Sequence, residues 1–293
     1  MYEIKKINIK DNIYPKKLLD ISSPPKNLYY IGDINLLKKN IIAIVGSRAC
    51  SEYGRIVAKK ISRELAREDI CIISGLALGI DISAHLGAMK EIGKTIAVLG
   101  GGLKNIYPPE NREYLFQILK NGGLVITEYS EDEETNSSNF PKRNRIISGL
   151  SDGVLLVEAE KRSGTTITAK FAKQQNKTLY CIPSNIDSIN GVGTNLLLQQ
   201  GAKLVLESND ILNDFELKNS KKIETKKVEL EDEYKELYNL FNDNPININI
   251  ISRKLNRTVN ELAKDLLTLE LKGIIKKVNS NEYIKVGDNN ESK

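Results

Sequence analysis

The chain has 293 residues, 40% of them hydrophobic, enough for one large domain plus a small one with a sizeable core. No apolar run approaches the roughly 20 residues of a membrane helix, and the amino terminus MYEIKKINIKDNIYP lacks the apolar stretch of a signal peptide, so a cytoplasmic location and no membrane partner are expected. The net charge is +5, yet Lys+Arg against Asp+Glu runs 8 to 4 over residues 1–40, 20 to 19 over 41–210 and 15 to 15 over 211–293, so a polyanion would have to be held by a local patch rather than by the field of the whole molecule.

Residues 1–40 form a lead-in expected to pack on the core. From residue 41 onward, IIAIVG, CIIS, TIAVLGG, LVITEY, GVLLVEA, TLYCIPS and AKLVL read as strands, and amphipathic runs such as EYGRIVAKKISRELARE and REYLFQILKNGG read as the helices between them. This βαβα order predicts an α/β domain over residues 41–215, a doubly wound, Rossmann-like and mainly parallel sheet. Cys71 and Cys181 fall in strands and Cys50 in a turn; without CxxC spacing they read as reduced thiols, the two strand cysteines as core. Residues 216–230 are polar and charge-alternating and read as a solvated linker. Three helices and a hairpin turning at Asn279-Ser280-Asn281 follow, over residues 231–286, the order of a winged helix-turn-helix. Its would-be recognition helix sets Lys264 and Lys272 against Glu261, Asp265 and Glu270; a net acidic helix suits protein docking better than a DNA groove.

Several strands end in glycine-rich turns, and in doubly wound folds ligands bind outside the carboxyl ends of the strands. GSR places Gly46, Ser47 and Arg48 just ahead of a helix, so backbone N–H groups, a helix dipole and a guanidinium could converge on one anion. The next two turns contribute Ser74-Gly75 and Gly101-Gly102. Ser163, Gly164 and Thr165 open a helix after GVLLVEA and offer a second anion site, although Ser and Thr there can equally be caps. The glycine spacing matches neither GxGxxG nor GxxxxGK[ST]. The single histidine, His85, stands one helical turn after Asp81 and is expected to pair with it. No catalytic set, metal site or cofactor is predicted, and the acidic run EDEET (131–135) reads as a solvated loop. The densest cationic feature is FPKRNR, residues 140–145. Its arginines can take backbone phosphates bidentately, and Phe140 offers a flat face to an unpaired base that a duplex does not expose.

Five segments in order, VGSRACSEYG, SGLALGIDISAHLGAM, AVLGGGLKNIYPPEN, FPKRNRIISGLSDGVLLVEAEKRSGTTITA and GTNLLLQQGA, resemble the DNA-processing protein A (DprA/Smf) family over roughly residues 12–210, including the lead-in YPKKLLDISSPPKNLYYIGD. The winged-helix tail is similar to that of many members, and the helical domain that precedes the lead-in in longer members is not expected. The resemblance implies a dimeric single-stranded-DNA-binding protein that protects incoming DNA in natural transformation and loads the RecA recombinase, with single-strand-binding protein as a further partner. It also implies that Arg48, Phe140, Arg143, Asn144 and Arg145, with Lys142 at the variable position, lie at the DNA. At Tyr107-Pro108-Pro109-Glu110 this chain departs from the basic residue that many members carry after the Tyr-Pro pair.

The rival expectation is a nucleotide-processing enzyme of the lysine-decarboxylase-like (LOG) class, whose PGGxGTxxE motif RSGTTITAK echoes at a distance. The positions that follow Gly164-Thr165 carry Thr168 and Lys170, so a hydrolase would lack its general base. A sensory transcription regulator, the third reading, rests on the winged helix alone.

Overall fold

The computed structural model describes residues 3–106, 109–161, 163–215, 232–241, 246–271, 274–279 and 281–285. Two compact units divide the chain, Met1–Lys218 and Asn219–Lys293. The expected linker over 216–230 lies outside the described residues, as do Tyr107, Pro108 and Arg162.

In the first unit the strands are β1 (Lys5–Asn8), β2 (Asn27–Gly32), β3 (Ile41–Val45), β4 (Cys71–Ser74), β5 (Thr95–Val98), β6 (Leu124–Thr127), β7 (Gly153–Leu156), β8 (Thr178–Cys181) and β9 (Lys203–Leu204). The principal helices are α1 (Lys16–Leu19), α2 (Glu52–Arg67), α3 (Ile80–Ala88), α4 (Arg112–Lys120), α5 (Asn139–Leu150), α6 (Gly164–Gln174), α7 (Val192–Gln199) and α8 (Asn209–Leu212). Each strand run read from the sequence is present. The sheet order is β1-β2-β6-β5-β4-β3-β7-β8-β9, with β3 to β9 parallel. The lead-in does more than pack on the core: β2 joins β6 antiparallel and β1 joins β2, extending the sheet.

The strands are apolar throughout because both faces are covered. In β3, Ile41, Ala43 and Val45 face a layer containing Ile146, Ile147 and Leu150 of α5 and Ala169 and Ala172 of α6, while Ile42 and Ile44 face Ala58, Ile61 and Leu65 of α2 and Ala84 and Ala88 of α3. From β3 the chain winds outward through β4, β5 and β6, then crosses back to place β7 on the other side of β3. The segments leaving β3 and β7 therefore go to opposite faces, α2 to one and α6 to the other, and a crevice opens between neighbouring strand ends.

Cys71 and Cys181 are buried, as expected. His85 is buried but does not pair with Asp81. Its Nδ1 lies 2.7 Å from Thr95 Oγ1, whereas the Asp81 carboxylate accepts the Gly75 and Ala77 amides. With α3 buried nearly all round, neighbouring strand ends compete successfully for groups that on an exposed helix would pair at i,i+4.

The second unit contains α9 (Asp232–Tyr238), β10 (Ile246–Asn247), α10 (Ile248–Leu255), α11 (Val259–Leu271), β11 (Ile275–Asn279) and β12 (Glu282–Lys285). Its strands run in the order β10-β12-β11, and Leu237, Phe241, Ile251, Leu262, Leu266 and Leu269 form its core. The expected helices and hairpin are present; Ser280, at the expected hairpin turn, lies outside the described residues.

Candidate nucleic-acid interface

At the switch point, where the segments leaving β3 and β7 diverge, lies an open cleft of about 720 Å³. Gly46, Ser47 and Arg48 line it from the end of β3, Phe140, Arg143 and Asn144 from the first turns of α5, and Ser163, Gly164 and Thr165 from the start of α6. Three segments far apart in sequence thus meet as the doubly wound topology requires.

Ser163 is the N-cap of α6 in a reciprocal capping box with Thr166, so the cap reading of this segment holds beside its place in the cleft. The helix start it holds open presents the positive end of the α6 dipole to the cleft. Arg48 is exposed, its guanidinium 5.0 Å from the Phe140 ring centroid, and among the described residues no carboxylate lies within ion-pair distance of it. The cation and the aromatic face expected from the sequence are therefore stacked on each other at the rim.

Arg143 also lies by the Phe140 ring, its guanidinium 6.0 Å from the centroid, but it is buried. Its side chain is only 3% exposed and donates to the Gly75 and Val98 carbonyls and to Asn144 Oδ1. A Cβ on Gly75 would come within 2.5 Å of the guanidinium, so this close approach needs glycine. Burial raises the Asp81 carboxyl pKa against the opposing pull of the Arg143 charge, and burial likewise lowers the Arg143 guanidinium to about 10, still charged at neutral pH. Asn144 continues the chain of bonds to the α6 start, its Nδ2 donating to Gly164 O at 3.3 Å. Arg145 leaves the cleft altogether. It makes a bidentate pair with Glu128, both bonds 2.6 Å, and donates to Ser23 O of the lead-in.

The remaining candidates are not brought to the cleft lining. The Ser74 hydroxyl donates to Ile44 O. Gly101 and Gly102 are covered by the acidic loop, whose Glu131 and Glu133 carbonyls accept from Lys104 N and Gly102 N. Lys142 is exposed on the outer side of α5. Part of the EDEET loop is solvated as expected, but it also acts as a cover, with Lys104 paired to Glu131 and Asp132.

The helical period of α5 carried a sign of this sorting. Arg143 shares a stripe with Ile146, Ile147 and Leu150, the buried face, and so could have been read as an inward group. Glu158 was not singled out at all. Buried at the end of β7, it accepts from Ser51 N and Ser51 Oγ at 2.8 and 2.5 Å and holds the α2 N-terminus against the sheet. A carboxylate directly after an apolar strand run was the available signal.

The profile of the family described as DNA recombination-mediator protein A matches residues 5–216. A curated relative, the DNA processing protein DprA of Streptococcus pneumoniae, is 43% identical over 209 residues, 71% of this chain and 73% of that protein. The solved structure of the S. pneumoniae protein superposes with a TM-score of 0.68 at 40% identity, over 72% of this chain and 74% of that one. DNA processing protein A from Helicobacter pylori, whose structure concerns its single-stranded DNA binding mode, superposes with a TM-score of 0.67 at 32% identity, over 74% of this chain and 97% of that one. The strand-end turns, α5 and α6 that build the cleft all lie inside the matched span, and the chain belongs to the DNA recombination-mediator protein A family.

Proposed function

We propose that this chain binds single-stranded DNA without sequence preference, in the cleft at the switch point. The observation that carries the reading is the stacked pair of Arg48 and Phe140 at the mouth of a cleft floored by a helix start. A guanidinium beside an aromatic face meets a phosphate and a neighbouring unpaired base together, whereas a duplex keeps its base faces stacked away. Gly46, Ser47, Ser163, Gly164 and Thr165 supply close backbone approach and the helix dipole. Arg143, Asn144 and Arg145 hold this arrangement from behind, and Lys142 adds exposed charge on the outer side of α5.

The wider role follows the family: protection of incoming DNA and loading of RecA in natural transformation, in the cytoplasm, with single-strand-binding protein as a further partner. A homodimer is supported by the edge strand β9, where Leu204 and, just beyond the strand, Leu206 are 50% and 70% exposed. The second unit is read as a winged helix that docks protein. Arg257, two residues ahead of α11, is bound to Asp265 of that helix at 2.7 Å and so is not free for phosphate.

The deciding measurement is a competition gel shift with labelled single-stranded DNA. Unlabelled single strands should displace the probe at far lower concentration than duplex or mononucleotide. Equal competition by duplex, or displacement by mononucleotide alone, would overturn the reading.

A further inference from the structure

Next to the cleft, on the other side of the α6 start, lies a second groove of about 680 Å³ between α6 and α7. The two share Ser163 and Gly164 in their linings, so they are continuous across the helix N-terminus. Lys161, Lys170 and Lys173 line this groove and are exposed, and no carboxylate is among its lining residues. Ile167, Leu196 and Leu197 give it a partly apolar floor.

Lys170 and Lys173 are neighbours at i,i+3 on one helix face, where like charges repel. Among the described residues the Lys173 ammonium is held by a neutral partner, Gln200 Oε1 at 3.1 Å. A cluster of cations without a matching carboxylate is relieved by an anion, and one that continues from a phosphate-binding cleft suits a further run of the same polyanion. Gly164 fits this path as well: a Cβ there would meet no atom within 4 Å, so its bareness answers no packing need and leaves the crossing between the two grooves low.

We infer that a single strand bound in the cleft crosses α6 at Gly164 and continues along the second groove, its phosphates on Lys161, Lys170 and Lys173 and its sugars against Ile167, Leu196 and Leu197. This rests on the cleft being the primary single-strand site. The nine-residue rise from Gly164 to Lys173 spans about 14 Å, which is about four stacked nucleotides at roughly 3.4 Å each. With no aromatic among its lining residues, the groove would hold the backbone and leave the bases stacked on one another, and so it would be sequence-tolerant.

The test compares oligothymidines of roughly 6 and roughly 16 nucleotides, within the span of single-strand site sizes, on wild type, on the triple variant Lys161→Ala/Lys170→Ala/Lys173→Ala, and on the triple Lys→Arg variant. The alanine variant should bind the short oligomer as wild type does. On the long one it should lose affinity, with a log–log salt slope smaller by about 2, at roughly 0.7 per phosphate, and its site size should shrink by about four nucleotides, the span of the groove. The arginine variant should restore both. Unchanged affinity, slope and site size on the long oligomer, with the short one still bound, would overturn the path while leaving the cleft intact. Failure of wild type to bind either oligomer would overturn the cleft reading itself, and the path with it.

Discussion

Arg48 and Arg143 line the same cleft, 5.0 and 6.0 Å from the centroid of the same Phe140 ring, and do opposite work. Arg48 stands exposed over Phe140 with its hydrogen-bonding capacity available to a ligand, whereas Arg143 is buried with its donors spent on the Gly75 and Val98 carbonyls. The same guanidinium is thus a contact in one place and a strut in the other. Surroundings decide which: an exposed cation is cheap to keep unpaired, while a buried one persists only with partners that satisfy its donors.

The strongest way to break this contrast is Arg143→Ala. Removing the buried cation takes away the charge that opposes the burial of Asp81 and the donor that serves the Gly75 and Val98 carbonyls, so the variant should lose about 1–3 kcal/mol of stability in urea unfolding. A loss below about 0.5 kcal/mol, typical of surface positions, would mean that Arg143 is no strut and is available to DNA after all.

Changes at the rim sharpen the other half. Phe140→Ala should weaken single-strand binding by about 1–3 kcal/mol with the salt slope unchanged, since stacking releases no counterions. Arg48→Ala should weaken binding and flatten the slope by about 0.7 per lost phosphate contact, and its stability should stay within about 0.5 kcal/mol of wild type. Fluorescence anisotropy across a salt series separates the two; identical slopes for both variants would dissolve the distinction.

His85 probes the scaffold by pH. Burial lowers it from 6.5 to about 3, so between those values the unfolded chain takes up a proton that the native one refuses. Its contribution to stability is present above pH 6.5 and falls away toward pH 3, at about 1.4 kcal/mol per pH unit. Asp81, whose pKa is raised, slopes the other way. The readout is therefore the difference between wild type and His85→Gln, whose unfolding free energy should depend less steeply on pH over that window. Parallel curves would contradict a neutral buried imidazole.

Smaller effects are expected away from the cleft. Deleting residues 222–293 should leave a folded first unit that binds single strands within about tenfold of the full chain, about 1.4 kcal/mol, because the tail has as many acidic as basic groups. A greater loss would give the second unit a direct part in binding. No effect at all is expected in an assay for free base released from nucleoside monophosphates. Turnover that disappears on Thr165→Ala would favour the enzyme reading over the binding one.

The order of strands and helices was legible because burial on both faces leaves continuous apolar runs such as IIAIV and CIIS, and the helices between them keep a 3.6-residue period. The meeting of the GSR turn, the α5 hook and the α6 start followed from the winding rule, which brings strand ends to one crevice. Less legible was the use of each side chain. Asp81 and His85 have the spacing of a pair, yet each found a partner on a strand end. Gly101 and Gly102 resemble the other turns in composition but lie beneath a loop 30 residues onward.

The sequence by itself determined the parallel sheet, the place of the cleft and the residue types that surround it, because these depend on periodicity and local turn chemistry, which are written along the chain. Only the tertiary structure decided that Arg48 faces solvent, that Arg143 points into the sheet and that Arg145 ties the lead-in to Glu128. The fate of a cation depends on which carbonyls and carboxylates the fold sets beside it, and here, apart from Lys142 and Asn144 close by in the chain, those partners stand between 17 and 122 residues away in sequence.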